Sequence, residues 1–217
     1  MGRRVCVGFL RKFSFSSEGT ENEEGTKVTL ILISLLMNSR RDNLCKILSI
    51  LKKISKEQTK WALSIFCIFG NLSCFQYFIE DITLDQQEIS LDMECPFKDE
   101  DYFSHVQPIW ISSFYGHLPL VKYLVSRGCR IRISNQDGDT PLFVACENGG
   151  HIDLVRYLLL QNSEVNYQNK DRYFPLLIGS ANGHLEIIDI LLQMEQMLIK
   201  LEFKKILHFW RLAITDS

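Results

Sequence analysis

The sequence contains no Cys-x-x-Cys pair, and its seven cysteines (Cys6, Cys45, Cys67, Cys74, Cys95, Cys129 and Cys146) are odd in number. That arrangement argues against both a disulfide framework and a zinc site, so the expectation is reduced thiols packed as small apolar groups in a cytoplasmic protein. A basic excess is missing too. With 24 basic and 26 acidic side chains the net charge is −2 and the pI is near 6.2, so no global field draws nucleic acid and no such partner is expected. There is no glycine-rich phosphate loop, no His-Glu-x-x-His and no Gly-x-Ser-x-Gly, and the five histidines stand without a nucleophile or carboxylate spaced for a triad. Catalysis, cofactor and metal are therefore not expected. Neither glycine nor proline occurs after Gly183, which removes the usual signals for ending a helix. Apolar runs are short: Val28 to Met37 cannot span a bilayer. The uncharged run from Trp61 to Ile79 is longer, but it is broken by Ser64, Gly70, Asn71, Ser73 and Gln76, so a helix hairpin over Lys60 to Glu80 is expected rather than a membrane span.

What is present is a repeat. Pro108, Pro141 and Pro175 stand 33 and 34 residues apart (141 − 108 and 175 − 141), and Gly116-His117, Gly150-His151 and Gly183-His184 divide each segment in two. Self-similarity at this period marks a stacked helical array. Thr140 can cap a helix through its hydroxyl, and Pro141 suits the first helical position because its missing N–H would have no intrahelical partner. Ala145 is small enough for close approach of the next helix. Gly149 or Gly150 can take the left-handed conformation that ends the helix, and His151 opens a second one with the apolar stripe Ile152, Val155, Leu158 and Leu159. Gly128 and Asn162, each eleven residues past a Gly-His histidine, sit at plausible left-handed C-caps. The central segment carries one extra residue between its proline and Gly150-His151, which we assign to Gly149. Arg172 stands where the preceding turn has Gly138; a left-handed non-glycine residue costs roughly 1 kcal/mol, so this turn is expected to differ.

At Thr140-Pro141-Leu142, Ala145 and the Gly-His pairs the chain resembles the ankyrin repeat family, clearly over about Gln107 to Leu192. Departures are Gln107 and Phe174 in place of the capping threonine, and Ser112 in place of alanine. The resemblance implies an all-α, ankyrin-like solenoid of stacked helix-turn-helix repeats with degenerate terminal repeats, and a function exercised by binding a protein. In that family partners are gripped by the turn tips and by the exposed end of the first helix of each hairpin. Carried over by position, the surface comprises Phe103, Ser104, Val106, Phe114 and Tyr115 from the first clear segment. The second supplies Gln136, Asp137, Asp139, Glu147 and Asn148. The third supplies Lys170, Asp171, Tyr173, Ala181 and Asn182. Phe114, Tyr115 and Tyr173 are the candidate aromatic anchors, with packing of Phe114 or Tyr115 against an adjoining hairpin as the structural alternative.

The flanks complete the expected organisation. Residues 1–27 read as a flexible segment, arginine-rich and acid-poor to Ser17 in a manner similar to mitochondrial transit peptides; Gly2 would suit myristoylation were Cys6 a serine or threonine. Residues 28–56 read as a divergent helix hairpin. Residues 57–95 form a degenerate repeat with an acidic insertion lacking the glycine and alternating carboxylates of a calcium loop, and 96–200 form three repeats. Residues 201–217 read as a capping helix, and Met197, Leu198, Leu201, Ile206, Phe209 and Trp210 can cover the open end of the stack. Glu195 stands at the C-cap place of Gly128 and Asn162, so the helix opening near His184 is free to run through Lys200 towards Ala213. The functional expectation is a monomeric, non-catalytic scaffold for an unidentified protein partner, with no membrane partner. Two alternatives remain: a peripheral membrane or calmodulin-responsive protein acting through the basic amphipathic segment Met194 to Ala213, or a fragment of a longer array.

Overall fold

The computed structural model describes residues 56–84, 90–94 and 106–215. The segment 1–27, the hairpin expected over Val28 to Ile54, most of the acidic insertion, and Phe103, Ser104 and His105 lie outside the described residues. Two compact units divide the chain, Met1–Glu88 and Ile89–Ser217.

In the first unit, α1 (Lys56–Phe69) and α2 (Leu72–Leu84) form a helix hairpin. Gly70 turns the chain with φ 64°, and Asn71 accepts the Cys74 N–H at 3.0 Å as the cap of α2. Ala62, Leu63, Ser64, Ile65, Phe66, Cys67 and Ile68 are buried in succession, so α1 is enclosed on every side. Its one polar residue in that run, Ser64, donates to the Lys60 carbonyl at 2.8 Å. The uncharged run of the sequence is thus a buried helix followed by an amphipathic one, which buries Cys74, Phe75, Phe78 and Ile79 and exposes Tyr77; among the described residues no helix is long and apolar enough to cross a membrane.

The second unit is three hairpins: α3 (Pro108–Phe114) with α4 (Leu118–Ser126), α5 (Pro141–Glu147) with α6 (Ile152–Leu160), and α7 (Pro175–Ala181) with α8 (Leu185–Thr215). All its described elements are helices. The short first helices pack in the order α3, α5, α7, and α6 packs on α8, so the hairpins pile up in register. Each first helix has proline in its opening turn; only Thr140 adds a side-chain cap, accepting the Phe143 N–H at 3.2 Å. Gln107 makes no cap bond, and its Oε1 is buried without a partner. The core between the layers comes from the fully buried Ile109, Trp110, Leu120, Leu124, Leu142 and Leu158. Ser112, Ala145 and Gly179, each four residues after a proline, are buried small residues, and a Cβ on Gly179 would face Ile187 of its own hairpin.

Three expectations are corrected here. The left-handed glycine of the central hairpin is Gly149 (φ 67°), matching Gly116 (φ 75°) and Gly183 (φ 73°), each eight residues past its proline; the inserted residue is therefore Gly150. Arg172 does adopt the left-handed conformation (φ 66°), because its N–H donates to the Asn169 carbonyl at 3.0 Å and Asn169 Oδ1 accepts the Tyr173 N–H at 2.8 Å, closing the turn around it. Finally, residues 201–215 are not a separate capping element. Without a stop signal α8 continues unbroken for 31 residues, about 46 Å, and Leu192, Met197, Leu198 and Ile199 are exposed; whether Leu201, Ile206, Phe209 and Trp210 cover the end of the stack lies outside the described side chains.

The histidines of the second and third Gly-His pairs stitch neighbouring hairpins rather than capping their own helices. His184 Nε2 lies 2.9 Å from the Glu147 carbonyl, which also accepts Asn182 Nδ2 at 3.0 Å. His151 stands in the same relation to the first hairpin, bonded to the Phe114 backbone. A Cβ on Gly116 would collide with the His151 ring, and one on Gly149 with the His184 ring. Burial, with the His117 charge beside it, holds the His151 imidazole below its ordinary value against the opposing effect of the Phe114 hydrogen bond.

Two outcomes are expected. Gly149→Ala should destabilise by about 2 kcal/mol or more, combining left-handed strain with displacement of a hydrogen-bonded ring. Gly179→Ala should instead stabilise by about 0.5–1 kcal/mol, since its Cβ would meet only Ile187 Cγ2 at 3.6 Å; urea denaturation of the two variants checks both signs. For His151 the lowered folded value makes its contribution complete above the unfolded value of 6.5, and the contribution is lost as pH falls towards the folded value. Between about pH 7.5 and about pH 5.5, wild type should therefore lose more stability than His151→Gln in the same denaturation assay.

Candidate functional site

The described turns, Asn135–Asp139 and Asn169–Tyr173, are built alike. Asn135 Oδ1 accepts the N–H groups of Asp137 (3.0 Å) and Asp139 (2.7 Å), and the Asn135 N–H donates to the Asp139 carbonyl. Asn169 repeats the scheme with Tyr173. The Lys170 N–H then donates to the Asp137 carbonyl at 2.9 Å, joining the two tips into one edge. Beneath them sits Asp139. Its carboxylate accepts Asn169 Nδ2 at 2.8 Å and Asn135 Nδ2 at 3.3 Å, while its carbonyl accepts Trp110 Nε1 at 2.8 Å. Burial raises the Asp139 carboxyl above its ordinary range, the two asparagine bonds oppose this, and Asp137 and Asp171 add to the rise.

The predicted surface residues separate into three groups. Gln136, Asn148, Lys170, Asp171, Ala181 and Asn182 are exposed, and Tyr173 is 41% exposed. Asp137, Phe114, Tyr115 and Glu147 are half-buried; Phe114 stacks on Trp110 of its own helix at 5.5 Å and meets Tyr115 edge-on, and Tyr115 stacks against His117. Two assignments are corrected: Val106 is fully buried in the core, and Asp139 is 2% exposed because its acceptors are consumed within the stack. Neither presents atoms to a partner. Phe103 and Ser104 lie outside the described residues.

Sequence reasoning missed Asn135, Asn169 and Trp110, the residues that hold the tips in place. A signal was available, since Asn135 and Asn169 recur at the same 34-residue interval as the second and third prolines. Leu177 was missed as well. It occupies the position of Trp110 and Phe143, which are 0% and 5% exposed, yet it is 40% exposed itself because no hairpin among the described residues follows it.

Reactive chemistry has little to work with. The described cysteines, Cys67, Cys74, Cys129 and Cys146, are free and buried. Burial, with Asp92 nearby, pushes the Cys129 thiol up to about 12, and burial raises Cys74 and Cys146 as well, the condition of inert structural thiols. Among the described residues no His, Cys, Asp and Glu cluster could hold a metal. Two concavities are described: one of about 70 Å³ between Ile131, Thr140, Leu142, Ser163 and Tyr167, and an open groove of about 570 Å³ between residues 164–168 and Leu198.

Comparison with known proteins agrees with the geometry. The family described as ankyrin repeats (3 copies) matches residues 109–200. An ankyrin repeat-containing protein of Schizosaccharomyces pombe is 58% identical over 40 residues, which are 18% of this chain and 19% of that relative. The chain thus matches under a fifth of the relative's length. Ankyrin repeats are in general protein–protein interaction modules, and the family is generally non-catalytic. On the stacked hairpins, their left-handed glycine turns and this match, residues 109–200 of the chain are ankyrin repeats.

Proposed function

We propose that this protein is a cytoplasmic, non-catalytic scaffold that binds a protein partner along the edge made by its turn tips and the exposed ends of its first helices. The observation that carries this reading is the pairing of preorganised support with exposed surface. The Asp137–Lys170 backbone bond and the Asp139 hydrogen bonds lock the tips, while Gln136, Lys170, Asp171, Tyr173, Asn148 and Asn182 face outward from them. Rigid display lowers the ordering cost of association. Tyr115 and Tyr173 supply amphipathic rings at the two ends of this edge, the residue type that most often dominates interface energies. The mixture of Asp137, Asp171 and Lys170 suits a partner surface of mixed charge rather than a polyanion.

The test is titration calorimetry with the protein captured on the immobilised native chain from its own cell. Tyr115→Ala/Tyr173→Ala, with circular dichroism unchanged, should weaken binding about tenfold or more. Affinity equal to wild type would remove both rings from the binding surface.

A further inference from the structure

The second helices of the first two hairpins carry charge of one sign. Val106 to Ile133 contains Lys122, Arg127, Arg130 and Arg132 and no acidic residue, and Asp153 is the single acidic residue of α4 and α6 together. Lys122 and Arg156 hold the same place in the two helices, each five residues after a Gly-His histidine and each followed by a tyrosine. Stacking brings these positions together. Lys122 Nζ lies 5.6 Å from the centre of the Tyr157 ring, and the Arg127 guanidinium lies 5.9 Å from that of Tyr123, both within cation–π reach. The ion pairs beside them join Arg130 to Asp92 and Arg132 to Glu164. Lys122, Arg127 and Arg156 are exposed and meet no carboxylate among the described residues.

We propose that this face is a second docking surface, and that its occupant is an acidic peptide segment of a partner protein. Arg130 shows how such a segment is held. Asp92 Oδ1 accepts the Arg130 backbone N–H at 3.0 Å and Oδ2 accepts its Nε at 2.9 Å, the two-pronged, charge-assisted grip that arginine makes on a carboxylate. Lys122, Arg127 and Arg156 extend the same chemistry across two hairpins. Nucleic acid fits less well, because bases stack on open aromatic faces and the Tyr123 and Tyr157 rings already carry cations of the chain itself. A lipid surface needs a row of apolar side chains beside the cations, and Leu160 is the one large exposed apolar residue on α4 and α6. The face shares no residue with the turn-tip edge, so it stands independently of the scaffold reading and gives the chain a second place to bind.

The experiment is fluorescence anisotropy of the full chain with a labelled glutamate dodecapeptide at low ionic strength. With a net charge of −2 on the whole chain, capture of this polyanion has to come from a local patch. Wild type should bind it, and added salt should weaken the complex. Lys122→Glu/Arg156→Glu, with unchanged helicity, should lose about tenfold or more in affinity, and Lys122→Gln/Arg156→Gln should lose severalfold. Lys200→Glu/Lys204→Glu makes the same change of net charge on α8 and should bind as wild type does. A wild type that ignores the peptide overturns the proposal, as does an α8 variant that loses as much affinity as Lys122→Glu/Arg156→Glu. A thymidine dodecanucleotide held more tightly than the peptide, and released by Lys122→Glu/Arg156→Glu, would assign the face to nucleic acid instead.

Discussion

The repeat stack depends on one buried carboxylate. Asp139 takes hydrogen bonds from Asn135 in its own turn and from Asn169 in the next, while its carbonyl takes the Trp110 indole of the hairpin before. Three successive repeats therefore meet at a single residue. A carboxylate suits the place because it is acceptor-only and two amide NH2 groups face it. Burying it costs desolvation, visible in the raised carboxyl, and those donors offset that cost. The same asparagines fix the turns, so packing register and the shape of the outer edge have one origin.

A second set of contacts works on the other side of the hairpins. There the left-handed glycine of one repeat leaves room for the histidine ring of the next, which bonds a carbonyl at the C-terminal end of the previous first helix. A histidine at this position satisfies a backbone group left over by helix termination and enforces spacing between neighbours. Both sets act between adjacent repeats only, as expected for a quasi-one-dimensional fold. The consequence shows at the last hairpin: Tyr173, Leu177 and Leu192 hold the positions of Asp139, Phe143 and Leu159, and are far more exposed than those buried equivalents. The apolar surface left by a stack is set by where stacking stops, and α8 extends that surface beyond the repeat.

Much of the architecture was legible beforehand. The prolines, the Gly-His pairs and the apolar stripes each carry a local physical meaning, and their agreement at one period specified hairpins and their order. Gly70-Asn71 was readable in the same way as a turn inside an apolar run. The binding surface was legible only by analogy of position, and the analogy failed at Val106 and Asp139. Turn-tip residues alternate between outward display and inward bonding, and nothing local distinguishes a displayed aspartate from one whose acceptors are taken by an asparagine thirty residues away.

By itself, then, the amino-acid order determined the elements: where helices begin, which faces are apolar, that α8 lacks a stop, and that the chain works by stacking repeats. These follow from interactions within a few residues of one another. Only the tertiary structure decided that Gly149 rather than Gly150 is the left-handed residue, that Arg172 bears left-handed strain, that Asp139 is a buried junction, and that α8 leaves Leu185, Leu192 and Ile199 exposed. Each of those depends on which group from a distant repeat arrives at the same point in space.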